Sequence, residues 1–263
     1  MADGKVPSGG GGAVVSWRLI WGIAVLAFLI CSCAGAAKKP VATDAELLQQ
    51  AEEALAAKKY EKAEALLKKL MVEYPASDLV PRARLALGRV YYLAKKYPEA
   101  KAEIQKFLDL HPKHERSDEA HYYLGLVEFS EISSVDRDQS PARRALTEFE
   151  TVLREAPDSR FAADAREKIK VCQEKLAGHE LFVGRFYFRR GKYQAAVARF
   201  RYLLSHYPEG RSGEEALYYL GESYYRLKRM EEAKSAFRRL LEQYPDSRRL
   251  PDARRRLAEL EVP

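Results

Sequence analysis

The hydrophobic positions of this chain predict helices over most of its length. From residue 44 onward, apolar side chains recur three and four residues apart, which is the spacing of one face of an α-helix. These amphipathic stretches come in pairs that end near a proline. Ala, Leu, Glu, Lys and Arg are abundant throughout, and they favour helix because their side chains lose little rotamer freedom there. The pattern therefore predicts an array of helical hairpins.

The fifth pair carries seven positions that match the consensus of the tetratricopeptide repeat (TPR): Leu217, Leu220, Gly221, Tyr224, Ala233, Phe237 and Pro245. The small residues let two antiparallel helices approach closely, the rings fill the space beside them, and the proline stops the second helix. Three earlier pairs repeat the pattern: Gly88, Tyr91, Ala100 and Pro112; Gly184, Tyr187, Ala196, Phe200 and Pro208; and, less completely, Ala51, Ala63, Leu67 and Pro75. The repeat length is 37 residues in two places, against about 34 for a typical TPR.

The spacing of the repeat positions changes at two places in the middle of the chain. In the third pair, eight residues are inserted between Gly125 and the matching small residue, Ala145, within residues 130–144. The fourth pair has 27 residues between Pro157 and Gly184 where the others have 13, so its first helix gains 14 residues. At about 3.6 residues per turn this is close to four whole turns, which keeps the packed face in phase. We expect an extended fourth hairpin.

Local signals define the helix ends. Thr43-Asp44-Ala45-Glu46 and Ser212-Gly213-Glu214-Glu215 are predicted capping boxes, and Ser140 is a predicted N-cap before Pro141. After Pro251, one helical face carries Leu250, Ala253, Leu257 and Leu260. This last helix should cover the open edge of the array. The predicted fold is all-α: a right-handed superhelical array of five TPR-like helical hairpins with a C-terminal capping helix.

The N-terminus has a different character. Positive charges at Lys5 and Arg18 precede an uncharged run over residues 19–30, which is typical of a secretory signal. The run rises about 18 Å as a helix, short of the roughly 30 Å hydrocarbon core, although a short membrane anchor is the alternative. Ile30-Cys31-Ser32-Cys33 resembles a bacterial lipobox. We predict a signal peptide over 1–32, a lipidated linker over 33–42, and a covalent N-acyl diacylglycerol on Cys33.

Composition restricts the chemistry further. The net charge is +7, and loss of Lys5, Arg18 and Asp3 with the signal leaves +6. An exported lipoprotein seldom meets nucleic acid, so the charge is predicted to face acidic protein, anionic lipid or solvent. Cys172 is then a lone thiol, predicted to be buried on a helix.

No catalytic motif stands out. His179-Glu180 begins like a zinc-protease motif, but Val183 occupies the position of the second histidine. Asp136 and Asp138 are too few oxygen ligands for calcium, and the alternative is a solvated loop whose carboxylates pair with nearby arginines. We predict that the protein is not an enzyme, binds no metal, and has no cofactor besides the lipid.

The predicted concave face is basic and aromatic. TPR arrays usually present four positions of each first helix to their groove: here Arg82, Leu85, Arg89 and Tyr92 in the second pair, and Glu119, Tyr122, Leu126 and Phe129 in the third. The alternative is that these rings pack only between repeats.

Three stretches resemble the BamD family of outer-membrane lipoproteins: Asp136-Arg137-Asp138-Gln139, Pro157-Asp158-Ser159-Arg160-Phe161 with Asp164-Ala165, and Leu176-Ala177-Gly178-His179-Glu180 leading into Tyr187. The resemblance covers nearly all of the chain after Cys33. It implies a non-enzymatic scaffold of the β-barrel assembly (BAM) complex, lipid-anchored to the outer membrane on its periplasmic side. Ala34, the residue after Cys33, is also expected to direct a lipoprotein to the outer membrane.

The resemblance also implies partners. They are a BamA-like barrel protein with POTRA domains, other BAM lipoproteins, and the C-termini of unfolded barrel precursors. Such termini carry an aromatic residue and a free carboxylate, so Arg89 would pair with the carboxylate while Tyr92, Tyr122 and Phe129 hold rings, with Arg82 nearby.

Residues 43–158 would then form the substrate-binding half and residues 159–263 the BamA-docking half. Arg199 matches the arginine that in this family pairs with an acidic residue of the last POTRA domain, and Arg201 lies beside it. The alternatives are a TPR pilotin for a secretin, or a soluble periplasmic cell-division TPR protein.

Overall fold

The computed structural model describes residues 42–208 and 211–261, and these residues form eleven helices and no strand. The predicted signal peptide and Cys33 lie outside the described residues. The first three hairpins are α1 (Asp44–Ala56) with α2 (Tyr60–Glu73), α3 (Val80–Leu93) with α4 (Tyr97–Leu110), and α5 (Ser117–Ser130) with α6 (Ser140–Glu155). The remaining helices are α7 (Ala162–Arg189) with α8 (Tyr193–His206), α9 (Ser212–Arg226) with α10 (Met230–Gln243), and the single helix α11 (Leu250–Glu261). The all-α array of five hairpins is confirmed.

Each helix of the unit beginning at Thr43 packs against the next along the chain, and first helices of neighbouring hairpins also touch, as α7 touches α9. Close approach within a hairpin depends on the predicted glycines. A Cβ atom on Gly221 would lie 2.6 Å from the Phe237 ring, and one on Gly125 would lie 2.8 Å from the Phe149 ring. Because both rings are fully buried, neither can move aside cheaply. These contacts explain why the repeat pairs a glycine with a large residue.

The fourth hairpin is extended as expected. Helix α7 runs unbroken for 28 residues, through Gly178 and His179. Its N-terminal half packs on α6 and buries Cys172 completely, and burial raises the pKa of this thiol to about 12. The predicted burial of the lone cysteine is therefore confirmed.

The C-terminal helix covers the last hairpin as predicted. Leu250, Ala253 and Leu257 are buried in one cluster with α10, and Leu260 packs against its edge. The array therefore ends on an amphipathic helix that buries one face and leaves the other to solvent.

Of the three predicted caps, only the first is correct. Thr43 and Glu46 form both hydrogen bonds of a capping box. Ser212 does not cap α9: its hydroxyl donates to Glu174 Oε1 at 3.1 Å, and the backbone N–H of Arg211 donates to Glu174 Oε2 at 2.8 Å. A carboxylate from α7 replaces the serine there, because an anion is favoured at a helix N-terminus.

The predicted Ser140 cap is also wrong. Ser140 is already helical, and both its backbone N–H and its hydroxyl donate to Asp138 Oδ1, at 3.0 and 2.8 Å. The charged carboxylate is the stronger acceptor and takes the place that a serine oxygen would have had. These bonds hold the pKa of Asp138 below its usual range.

Candidate interaction surfaces

The predicted groove centres on a buried carboxylate between α3 and α5. Glu119, the first groove residue of α5, is only 3% exposed. Its oxygens lie 3.0 Å from Arg89 Nη1, 3.5 Å from Arg116 Nη1 and 3.5 Å from Arg160 Nη2. Three cations from three parts of the array therefore surround one buried carboxylate and offset the cost of its burial. Arg89 consequently has an internal partner.

Arg82, at the start of the same face of α3, pairs with Glu52 of α1 at 2.7 Å. Both side chains are well exposed. This surface pair joins the first two hairpins, and its weak, solvent-screened attraction leaves Arg82 able to exchange partners.

The predicted groove rings lie together, in contact with rings that sequence reasoning missed. Tyr122 stacks on Phe161 with centroids 4.5 Å apart, and its hydroxyl donates to Asp164 at 2.8 Å. Tyr92 meets Tyr123 edge-on at 5.6 Å. Burial, together with the bond to Asp164, raises the pKa of Tyr122, so its hydroxyl stays protonated. The rings of α3 and α5 thus join the start of α7 in one aromatic cluster.

Phe129 lies at the far end of this face. Its ring packs edge-on against the buried Phe149 at 6.3 Å, and Lys168 of α7 lies 5.0 Å from its centroid. Like the tyrosines it is only partly buried. Each groove ring therefore packs against other rings of the array on one side and stays partly exposed on the other.

The two predicted docking arginines lie on opposite sides of α8, because Phe200 between them is fully buried. Arg199 is 46% exposed and pairs with Glu180 of α7 at 3.3 Å. Arg201 lines an open cleft of about 320 Å³ that also contains Tyr224, Arg229 and Arg239. The two arginines thus belong to separate surfaces, each of which also carries a carboxylate, Glu180 beside Arg199 and Glu232 in the cleft of Arg201.

Hydrogen bonds within the inserted loop between α5 and α6 hold its backbone in place. The buried amide of Gln139 donates to the carbonyl oxygens of Ser134 and Arg137, at 3.0 and 2.9 Å. The Ser134 hydroxyl bonds Asp136 and lowers the pKa of that carboxyl. The loop carboxylates therefore bind serines, and the nearest arginine nitrogen to Asp138 is 3.9 Å away, on Arg143.

Within residues 42–208 and 211–261, no three His, Cys, Asp or Glu side chains come together in a group that could hold a metal ion. No helix in the same part of the chain is both long enough and apolar enough to cross a membrane.

The fold and its surfaces define a class: a TPR-type helical-repeat protein whose fourth hairpin is extended and whose exposed faces carry rings and arginines. Residues 40–236 match the family described as YfiO, outer membrane lipoprotein, and residues 214–260 match the tetratricopeptide repeat. Since the first match covers most of the chain, the protein belongs to the YfiO outer membrane lipoprotein family.

Curated relatives carry the name outer membrane protein assembly factor BamD. The chain is 30% identical over 201 residues to that of Caulobacter vibrioides, covering 74% of this chain and 66% of the relative. It is 31% identical over 163 residues to that of Rickettsia prowazekii, covering 62% and 65%. The chain thus spans about two thirds of these relatives. A thermophilic TPR protein of Thermus thermophilus aligns over 84% of this chain and 100% of its own, with 19% identity and a TM-score of 0.39.

Proposed function

We propose that this protein is a non-enzymatic assembly factor for outer-membrane β-barrel proteins, acting as a scaffold that binds partners and orients them. The observation that carries the proposal is the family match over residues 40–236, which runs through the extended α7–α8 hairpin. A helical array suits this role because each hairpin adds surface to a continuous face without needing a closed active site.

The first half of the array is proposed to receive unfolded barrel precursors. The face of α3 and α5 supplies the chemistry: partly buried rings beside Arg89, with Arg82 further along α3. An aromatic C-terminal residue would stack on the exposed parts of these rings, and its carboxylate would compete with Glu119 for Arg89. Exchange of one carboxylate for another keeps the guanidinium paired, and the displaced Glu119 would retain Arg116 and Arg160, each 3.5 Å away.

The second half is proposed to dock on a BamA-like protein through its POTRA domains. Arg199 presents a planar fork of donors on the outer side of α8, and only Glu180 competes for it among the described residues. A guanidinium at such a position can hold a partner carboxylate through two hydrogen bonds. Arg201 would contribute from the opposite side of the helix, and other BAM lipoproteins would occupy further surface.

Membrane attachment is proposed to come from acyl chains on Cys33, placing the array on the periplasmic side of the outer membrane. A pilotin or a soluble cell-division protein would lack, respectively, the extended fourth hairpin and the lipidated cysteine. The 28 residues of α7 favour the assembly factor over the pilotin.

The test is affinity capture of the tagged full-length protein from detergent-solubilised outer membranes, followed by mass spectrometry. We expect a barrel protein with POTRA domains among the captured proteins. Capture of a secretin without any such barrel protein would contradict the proposal.

A further inference from the structure

The C-terminal half of α7 exposes two aromatic rings. Phe182 and Phe186 are 40% and 39% exposed, and they lie one helical turn apart on the same face. Phenylalanine rings normally bury most of their large apolar area. About two fifths of each ring is exposed, so the pair offers a small apolar surface that a partner can cover.

A preformed cleft adjoins Phe182. It has a volume of about 300 Å³ and is lined by Val135, Gly178, Leu181, Phe182, Arg185 and Arg189. An apolar cavity of about 150 Å³ is enough to hold a benzene molecule, so this cleft has room for one aromatic side chain.

The wall of the cleft opposite α7 is held by a hydrogen bond. The inserted loop brings Val135 to α7, where its carbonyl oxygen accepts a hydrogen bond from His179 Nδ1 at 2.6 Å. The missing side chain of Gly178 leaves room for this approach, because a Cβ atom there would lie 3.1 Å from Val135. This hydrogen bond and close approach hold the wall in place, so a side chain that enters the cleft requires little reorganisation of it.

The rim of the cleft is cationic. Arg189 forms no salt bridge with any described residue, while the exposed Arg190 lies 4.7 Å from the Phe186 ring centroid. Arg185 is already engaged by Glu215 at 3.2 Å. A helix C-terminus favours cations, but that preference does not explain the exposed rings beside them. An apolar cleft beside unpaired arginines is complementary to an acidic polypeptide with an aromatic side chain.

We propose that Phe182, Phe186, Arg189, Arg190 and the cleft form a docking site, the α7 aromatic site, for an acidic polypeptide segment bearing one aromatic side chain. The ring enters the cleft against Phe182, and flanking carboxylates pair with Arg189 and Arg190. The α7 aromatic site lies outside the α3–α5 groove and does not use Arg199. The proposal therefore stands independently of the proposed function.

The test uses the lipidated full-length protein in detergent and a fluorescent, capped pentapeptide with one Phe flanked on each side by two Glu. Titrations followed by thermophoresis compare it with the same peptide carrying Ala in place of Phe. We expect the Phe peptide to bind at least tenfold more tightly, and Phe182→Ala and Arg189→Glu each to weaken it at least fivefold. Both side chains are exposed, so both variants should fold, which circular dichroism checks.

Arg166→Glu is the matched control, since Arg166 is an exposed arginine of the same helix and forms no salt bridge with a described residue. It should leave peptide affinity unchanged. Equal binding of the Phe and Ala peptides, or an equal loss in Arg166→Glu, would overturn the proposal in favour of non-specific charge attraction. Binding to vesicles containing phosphatidylglycerol that depends on Phe182 and Arg189, without peptide binding, would overturn it in favour of a lipid surface.

Discussion

Arg89 of the second hairpin holds Glu119 of the third, with Nη1 and Oε1 3.0 Å apart and the carboxylate almost completely buried. The arginine that would receive a precursor carboxylate is thus already paired with an internal one. This contact links the second and third hairpins. An incoming anion must compete with Glu119, and it can bind Arg89 only if it is at least as good a partner.

Glu119→Gln should strengthen binding of a peptide copied from a barrel-protein C-terminus. Removal of the competing charge frees Arg89, and a gain of about 1.5 kcal/mol, roughly tenfold in affinity, is expected from one charge-assisted hydrogen bond. The fold should lose stability at the same time, because Arg89 and its neighbours lose their buried partner. Fluorescence anisotropy and thermal melts measure the two effects.

The matched control for this prediction is Glu103→Gln, which breaks the 2.7 Å pair with Arg84 between α3 and α4. It should lower stability without strengthening peptide binding. If both variants change affinity equally, or if Glu119→Gln weakens it, Arg89 is not the receiving group.

Replacing both Tyr92 and Phe129 with Ala should weaken binding of the same peptide by roughly 1 to 3 kcal/mol in total, because each ring loses its stacking surface. Because the two rings pack against Tyr123 and Phe149, the variant should be less stable as well. Unchanged affinity with a lowered melting temperature would show that the rings serve only to pack the array.

Gly221→Ala should destabilise the fifth hairpin by about 1 to 3 kcal/mol, because the added methyl overlaps the buried Phe237 ring, 2.6 Å from it. Denaturant unfolding measures the loss. The double variant with Phe237→Leu should lose less stability than the sum of the two single-variant losses, since the smaller side chain makes room for the added methyl. Strict additivity would mean that the contact does not limit helix approach.

Cys33→Ser should release the protein from the outer membrane into the soluble periplasmic fraction. The variant loses its acyl chains, each worth about 0.8 kcal/mol of attachment per buried methylene. Fractionation is done in cells depleted of the BamA-like protein, so that a partner cannot retain the variant. Persistent sedimentation with the outer membrane would place the anchor elsewhere.

Much of this fold could be predicted because its determinants are local and periodic. Glycine, alanine and proline at fixed spacing predicted five hairpins, and the count between Pro157 and Gly184 predicted the length of α7. The caps at Ser140 and Ser212 were predicted wrongly because carboxylates outside the capping motifs, Asp138 and Glu174, replaced the serine oxygens.

The surfaces were harder to predict because they too depend on side chains from different parts of the chain. Helical spacing placed Arg89 and Glu119 on one face, but only the packing of neighbouring repeats shows that they pair with each other. Nothing in the pattern of α7 indicated that Phe182 and Phe186 would stay exposed, or that Val135 from the inserted loop would reach Gly178. Interactions between distant parts of the chain decide these features.

The proposed docking of the array on a BamA-like protein depends on Arg199. Arg199→Glu places like charges together, and at a desolvated contact the cost should be about 2 to 5 kcal/mol. Because Arg199 also pairs with Glu180, the variant Glu180→Gln is the control for loss of that internal pair alone. Arg166→Glu controls for a general change of charge.

The decisive measurement is co-purification of the BamA-like protein with each tagged variant at low salt. Arg199→Glu should lose the partner, both controls should retain it, and reversal of the opposing acidic residue in the last POTRA domain should restore it. Full recovery of the partner with Arg199→Glu would contradict the docking role proposed for this arginine.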